Sequence, residues 1–111
     1  MADKIKLVRN DTGPQIKLTL TNQETGTPIN LTGGTVTMHF RRVGETVVLF
    51  SRAAYINPST AANGEAVLSW ATGALNLEAG DYEGEIEVVR STGERETVYD
   101  VLKFKLREDF A

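Results

Sequence analysis

The stretch Leu77-Glu78-Ala79-Gly80-Asp81-Tyr82-Glu83-Gly84-Glu85-Ile86-Glu87-Val88 constrains this chain more than any other. From Tyr82 onward it alternates with a period of two. Glu83, Glu85 and Glu87 fall on one side, and Tyr82, Gly84, Ile86 and Val88 on the other. Successive side chains of a β-strand point to opposite faces, so this is a strand with one wet and one dry face. Just before it, Glu78-x-Gly80-x-Tyr82 has the spacing of a tight corner. In such a corner the Tyr hydroxyl hydrogen-bonds back to the chain a few residues upstream.

The same period dominates nearly everywhere, and helical periodicity is weak. Ile5-Lys6-Leu7-Val8-Arg9 reads as a short first strand, ended by the turn formers Asn10-Asp11-Thr12-Gly13-Pro14. Residues 15–21 alternate with Ile16, Leu18 and Leu20 on one face, and Asn22-Gln23-Glu24-Thr25-Gly26 makes a polar tip. Pro28 to Thr32 runs extended before Gly33-Gly34 turns the chain. Val36, Met38 and Phe40 then alternate with Thr35, Thr37, His39 and Arg41, and Thr46-Val47-Val48-Leu49-Phe50 is a further apolar run. Residues 51–63 read as a long loop with one helical turn. Residues 65–70 read as a strand that puts Ala66, Leu68 and Trp70 on one face, and residues 71–79 as a loop anchored by Leu75 and Leu77.

The last hairpin can be laid out residue by residue. With Ser91-Thr92-Gly93 as a three-residue loop and Gly93 left-handed, Arg90 opposes Glu94, Ile86 opposes Val98 and Tyr82 opposes Leu102. Outside, Glu87 opposes Thr97 and Asp81 opposes Lys103. Asp100 lands on the core side opposite Gly84, either filling the room the glycine leaves or turned out by a bulge. The pieces amount to about seven to nine short strands with turn signals every eight to twelve residues. That pattern, with the Tyr82 corner, predicts an all-β, antiparallel, immunoglobulin-like sandwich over residues 1–111 as a single domain. Gly84 stands where antibody domains carry a disulfide Cys, so packing closes this sandwich.

Composition bounds the function classes. A chain of 111 residues with 41% hydrophobic and 24% charged residues can bury one core without staples. It has no cysteine, which excludes disulfides and thiolate metal sites. Met1-Ala2-Asp3-Lys4 lacks the apolar core of a signal peptide, and no apolar run approaches the ~20 residues of a membrane helix. Net charge is -3 with acids and bases interleaved, so the basic footprint of a nucleic-acid binder is missing.

Few residues invite chemistry. His39, the sole histidine, sits on the outward side of its strand without partners at ligand spacing. Alternate residues along a strand are ~6.6 Å apart, loose for shared coordination by Glu83, Glu85 and Glu87. The row reads as a solvated face met by basic side chains. Trp70 alternates with Leu68 and Ala66 and reads as a core anchor, while Tyr55 is the better exposed aromatic for a sugar platform. Asn30-Leu31-Thr32 matches a glycosylation sequon without a secretory context. No phosphate-cradling glycine motif and no Ser-His-Asp spacing can be argued. The chain is therefore expected not to be an enzyme, with no catalytic, cofactor-binding or metal-ligating residue.

Three segments together carry a resemblance. They are residues 27–41 around Pro28-Ile29-Asn30-Leu31-Thr32-Gly33, Gly64-Glu65-Ala66-Val67-Leu68-Ser69-Trp70, and Gly80-Asp81-Tyr82-Glu83-Gly84-Glu85-Ile86, followed by Gly93 and Thr97. In order and spacing, over about residues 12 to 106, they resemble the N-terminal domain of phage baseplate upper proteins. The resemblance implies an immunoglobulin-like sandwich that is a non-enzymatic structural component of a tailed-phage virion, assembled in the host cytoplasm. It would work through contacts with other virion structural proteins and as a homo-oligomer, without nucleic acid or membrane insertion. Family members continue into a linker and an assembly domain, whereas this chain stops at Ala111, so a small tail, neck or head-decorating subunit is also expected. Docking would use edge strands or the loops at 51–63 and 71–79. The alternative is a carbohydrate-binding module for a host-surface glycan.

Overall fold

The computed structural model describes residues 4–13, 15–22, 24–97 and 101–108. Within them run eight strands: β1 (Ile5–Val8), β2 (Ile16–Thr19), β3 (Thr35–Arg42), β4 (Phe50–Ala53), β5 (Glu65–Leu68), β6 (Gly80–Val89), β7 (Arg95–Thr97) and β8 (Leu102–Arg107), with one 3₁₀ turn at Ala61–Asn63. One sheet has the order β1-β8-β6-β3-β4, with β7 also on β6. The other is the pair β2-β5. This is the all-β sandwich that the alternation predicts. Its ladders are antiparallel except where β1 lies parallel to β8.

The core fills the space between the sheets. The larger sheet contributes Leu7, Val36, Met38, Phe40, Tyr82, Ile86, Val88, Phe104 and Leu106, and the smaller contributes Leu18, Ala66 and Leu68. Two strands cannot cover so wide a sheet, so connecting segments complete the second layer with Leu20, Ile29, Leu31, Ala61, Trp70 and Leu75. Gly64 makes that possible. The Leu20 amide donates to its carbonyl, and a Cβ there would run into the Leu20 and Ile29 backbones. Phe40 is central to the aromatic packing. It stacks with Phe50 at 4.8 Å and with Tyr82 at 5.2 Å, and meets Trp70 edge-on at 5.6 Å.

The corner forms as its spacing predicts. Tyr82 is buried, and its hydroxyl donates to the Glu78 carbonyl at 2.6 Å. The Arg42 guanidinium donates to that same hydroxyl at 3.1 Å and lies over the Tyr82 ring.

Two strand-level expectations need correction. Near the hairpin the register is as expected, with the Arg90 amide on the Glu94 carbonyl, Glu87 opposite Thr97 and Gly93 at φ 91°. Farther along it has moved by two residues, so that Tyr82 faces Phe104, Asp81 faces Lys105 and Gly84 faces Leu102. A shift of two keeps every side chain on its face, so alternation does not register it. The expected pairings of Val98 and Asp100 lie outside the described residues. The room at Gly84 is taken by Met38 and Phe104: a Cβ there would sit 2.6 Å from the Met38 sulfur. The second correction concerns the apolar run at 46–50. Leu49 reaches β3 through its amide, at 2.8 Å from the Phe40 carbonyl, but the strand begins at Phe50 and extends into Ser51–Ala53. Residues 45–49 carry no regular secondary structure.

Candidate functional site

The outward face of the larger sheet is built of cross-strand charge pairs. Arg41 Nε donates to Glu83 at 2.7 Å, and Arg95 lies 3.6 Å from Glu87. Lys103 faces Glu83 across the β6–β8 ladder. The acidic row on β6 is thus flanked by bases on both sides. Lys4 bonds Asp81 at 2.9 Å, and this contact holds the Asp81 carboxyl below its ordinary value, with Lys105 adding to the effect.

His39 does have neighbours. Its Nδ1 is 2.7 Å from Ser51 Oγ, and its Nε2 is 3.5 Å from Glu87. Spacing along the chain does not join these three residues, because the β3–β4 and β3–β6 registers are what bring them together. The trio superficially matches a nucleophile, base and carboxylate. However, it lies on the sheet's outer surface, with His39 and Glu87 pointing away from the core and Ser51 exposed. Among the described residues no group of three or more His, Asp or Glu side chains could hold a metal ion. No helix among them is long and apolar enough to cross a membrane.

The most distinctive surface is the β4 edge. β4 pairs with β3 on one side, and among the described residues no strand pairs with its other side. Beside it the chain exposes Val47 at 65%, Val48 at 47% and Leu49 at 44%. A groove of about 390 Å³ runs along this edge, between Leu49, Phe50, Ser51 and Arg52 on one wall and residues 71–77 on the other, including Ala74 and Leu77. Arg52 donates to the Ser69 carbonyl at 2.8 Å, just past the end of β5. The 71–79 loop expected from the sequence lines this groove, while of the expected 51–63 loop only Ser51 and Arg52 do, and both belong to strand β4.

The aromatic candidates separate. Trp70 is buried against Phe40, Phe50 and Phe104, as its alternation indicates. Tyr55 is 63% exposed, with its backbone bridged to Val67. Asn30 closes a local turn by accepting from the Thr32 amide at 3.0 Å.

Fold and surface together define a two-layer β-sandwich with one apolar open edge. No protein-family model matches the sequence, and no curated protein matches it. Over 96% of this chain and 86% of the other, the fold is similar to the crystal structure of CopC from Methylosinus trichosporium OB3b, with a TM-score of 0.53 and 14% sequence identity. At that identity the likeness is one of fold.

This finding corrects the functional reading drawn from the baseplate resemblance, that of a tailed-phage virion component. The fold is shared with a bacterial protein, and no comparison supports a phage role. The physical reason lies in the motif residues themselves. Leu31, Trp70 and Tyr82 are buried core positions, and Gly33 sits at φ 74° in a turn. A sandwich of this kind needs such residues whatever it does, so they report fold rather than function.

Proposed function

We propose that this protein is a non-enzymatic binding module that self-associates through the β4 edge and its groove. The observation that carries this reading is the row Val47-Val48-Leu49, exposed beside an open strand edge. Natural sheets guard their edges with charge, proline or bulges. The opposite edge strand, β1, carries Lys6, whereas residues 46–51 contain no charge and the one charged residue of β4, Arg52, is bonded to Ser69.

Pairing across a sheet edge supplies main-chain hydrogen bonds, and the side chains set the register. A two-fold antiparallel pairing centred on Leu49 would place Val48 opposite Phe50 and Val47 opposite Ser51, with no like charges opposed. Full burial of a Val or Leu is worth ~1.5–3 kcal/mol, and such contributions must exceed an association cost of about 4–15 kcal/mol. A concentration-dependent dimer is the expectation.

Light scattering across a concentration series tests it. The wild type should pass from monomer to dimer, and Val48→Glu should stay monomeric with its fold intact by circular dichroism. A wild type that is monomeric at every concentration, or a dimer indifferent to Val48→Glu, would sink the proposal.

A further inference from the structure

The far end of the larger sheet carries a chemically opposite surface. In the parallel β1–β8 ladder Lys6 lies directly opposite Lys105, and Val8 opposite Arg107. Lys103 shares their face, and all four basic side chains are exposed. Elsewhere this face matches acid to base, as in Lys4–Asp81, Arg41–Glu83 and Arg95–Glu87. Lys6 on Lys105 is base on base, an arrangement that destabilises a ladder. Lys6 guards the edge of β1, and Lys105 faces Asp81 across the β6–β8 ladder, but the Asp81 carboxylate is bonded to Lys4. Among the described residues no carboxylate lies within ion-pair distance of Lys6, Lys103 or Lys105. Lys6, Leu7, Val8, Lys105 and Arg107 line a groove of about 380 Å³.

We propose that this face binds an acidic, extended segment of a partner protein laid along β8. Alternate residues of a strand repeat every ~6.6 Å. Lys103 and Lys105 therefore present cations at the interval at which a Glu-x-Glu segment presents carboxylates, with Lys6 opposite Lys105. The width of the surface selects the class of partner. Two strands span only ~10 Å, and the acidic row Asp81, Glu83, Glu85 and Glu87 on β6 borders them directly. A polynucleotide requires a broader basic footprint and would lie over those carboxylates, whereas a single extended chain fits the strip over β1 and β8. This surface is separate from the β4 groove and does not depend on it.

The retained like-charge pair makes the proposal testable in two directions at once. Lys6→Glu sets an acid opposite Lys105, so it should raise the thermal midpoint while weakening binding. Binding is read by fluorescence anisotropy with a labelled peptide of alternating Glu and Val, and with a DNA duplex as a second probe. Wild type should bind the peptide and release it as salt rises. Lys6→Glu should bind it about tenfold more weakly, as expected when one cation becomes an anion. Lys17→Glu, on the smaller sheet, makes the same change in net charge and should leave binding intact. No peptide binding, equal binding by Lys6→Glu, an equal loss in Lys17→Glu, or tighter binding of the duplex than of the peptide would each overturn the proposal.

Discussion

At the scale of single residues, two positions carry the shape of the sandwich. The Tyr82 hydroxyl joins the Glu78 carbonyl, β6 and Arg42 at one point. Tyr82→Phe keeps the buried ring and removes that point. It should cost about 1 kcal/mol by urea denaturation, the usual net worth of an intramolecular hydrogen bond, and an unchanged midpoint would show that the corner is held by packing alone. Gly84 is needed for a different reason: Met38 and the Phe104 ring occupy the space its side chain would fill. Gly84→Ala overpacks the centre of the core and should destabilise by ~1–3 kcal/mol. In a double-mutant cycle with Met38→Ala the loss should be partly relieved, because the two residues share one space. Strict additivity would contradict that account. The corner was legible in the sequence because its spacing is local. The partner of Gly84 was not, because a glycine records that something is close without recording what.

At the scale of elements, alternation identified β1, β2, β3, β5 and β6 closely, since each buries one face. Two things escaped it. A two-residue change of register between β6 and β8 leaves every face unchanged. The start of β4 depends on where the chain rejoins β3, a non-local event that β-branched composition at 46–48 does not determine. The candidate groove was half legible for the same reason. The 71–79 loop could be named, but its meeting with the β4 edge required the three-dimensional arrangement. The β1–β6 end gives an element-scale prediction in pH. Lys4 lowers the Asp81 carboxyl in the folded chain, so folding is favoured above the ordinary carboxylate range. That contribution disappears as the pH falls through the lowered value. On acidification through that window the wild type should lose stability relative to Asp81→Asn, read as urea midpoints at a series of pH values. Parallel acid limbs would contradict the Lys4 contact.

At the scale of the whole molecule, the larger sheet has two unlike edges, β1 and β4. One is charged by Lys6, and the other is uncharged from Thr46 to Ser51 and apolar from Val47 to Phe50, with Arg52 bonded to Ser69. The shared fold with CopC says how the layers are arranged, and the account of function rests instead on that asymmetry. The most direct test is backbone amide hydrogen exchange recorded at low and high protein concentration. Self-association through β4 predicts added protection at high concentration over residues 45–53 and 71–77, with β1 and β8 unchanged. Exchange at residues 45–53 that is indifferent to concentration, or protection that appears on β1, would contradict it.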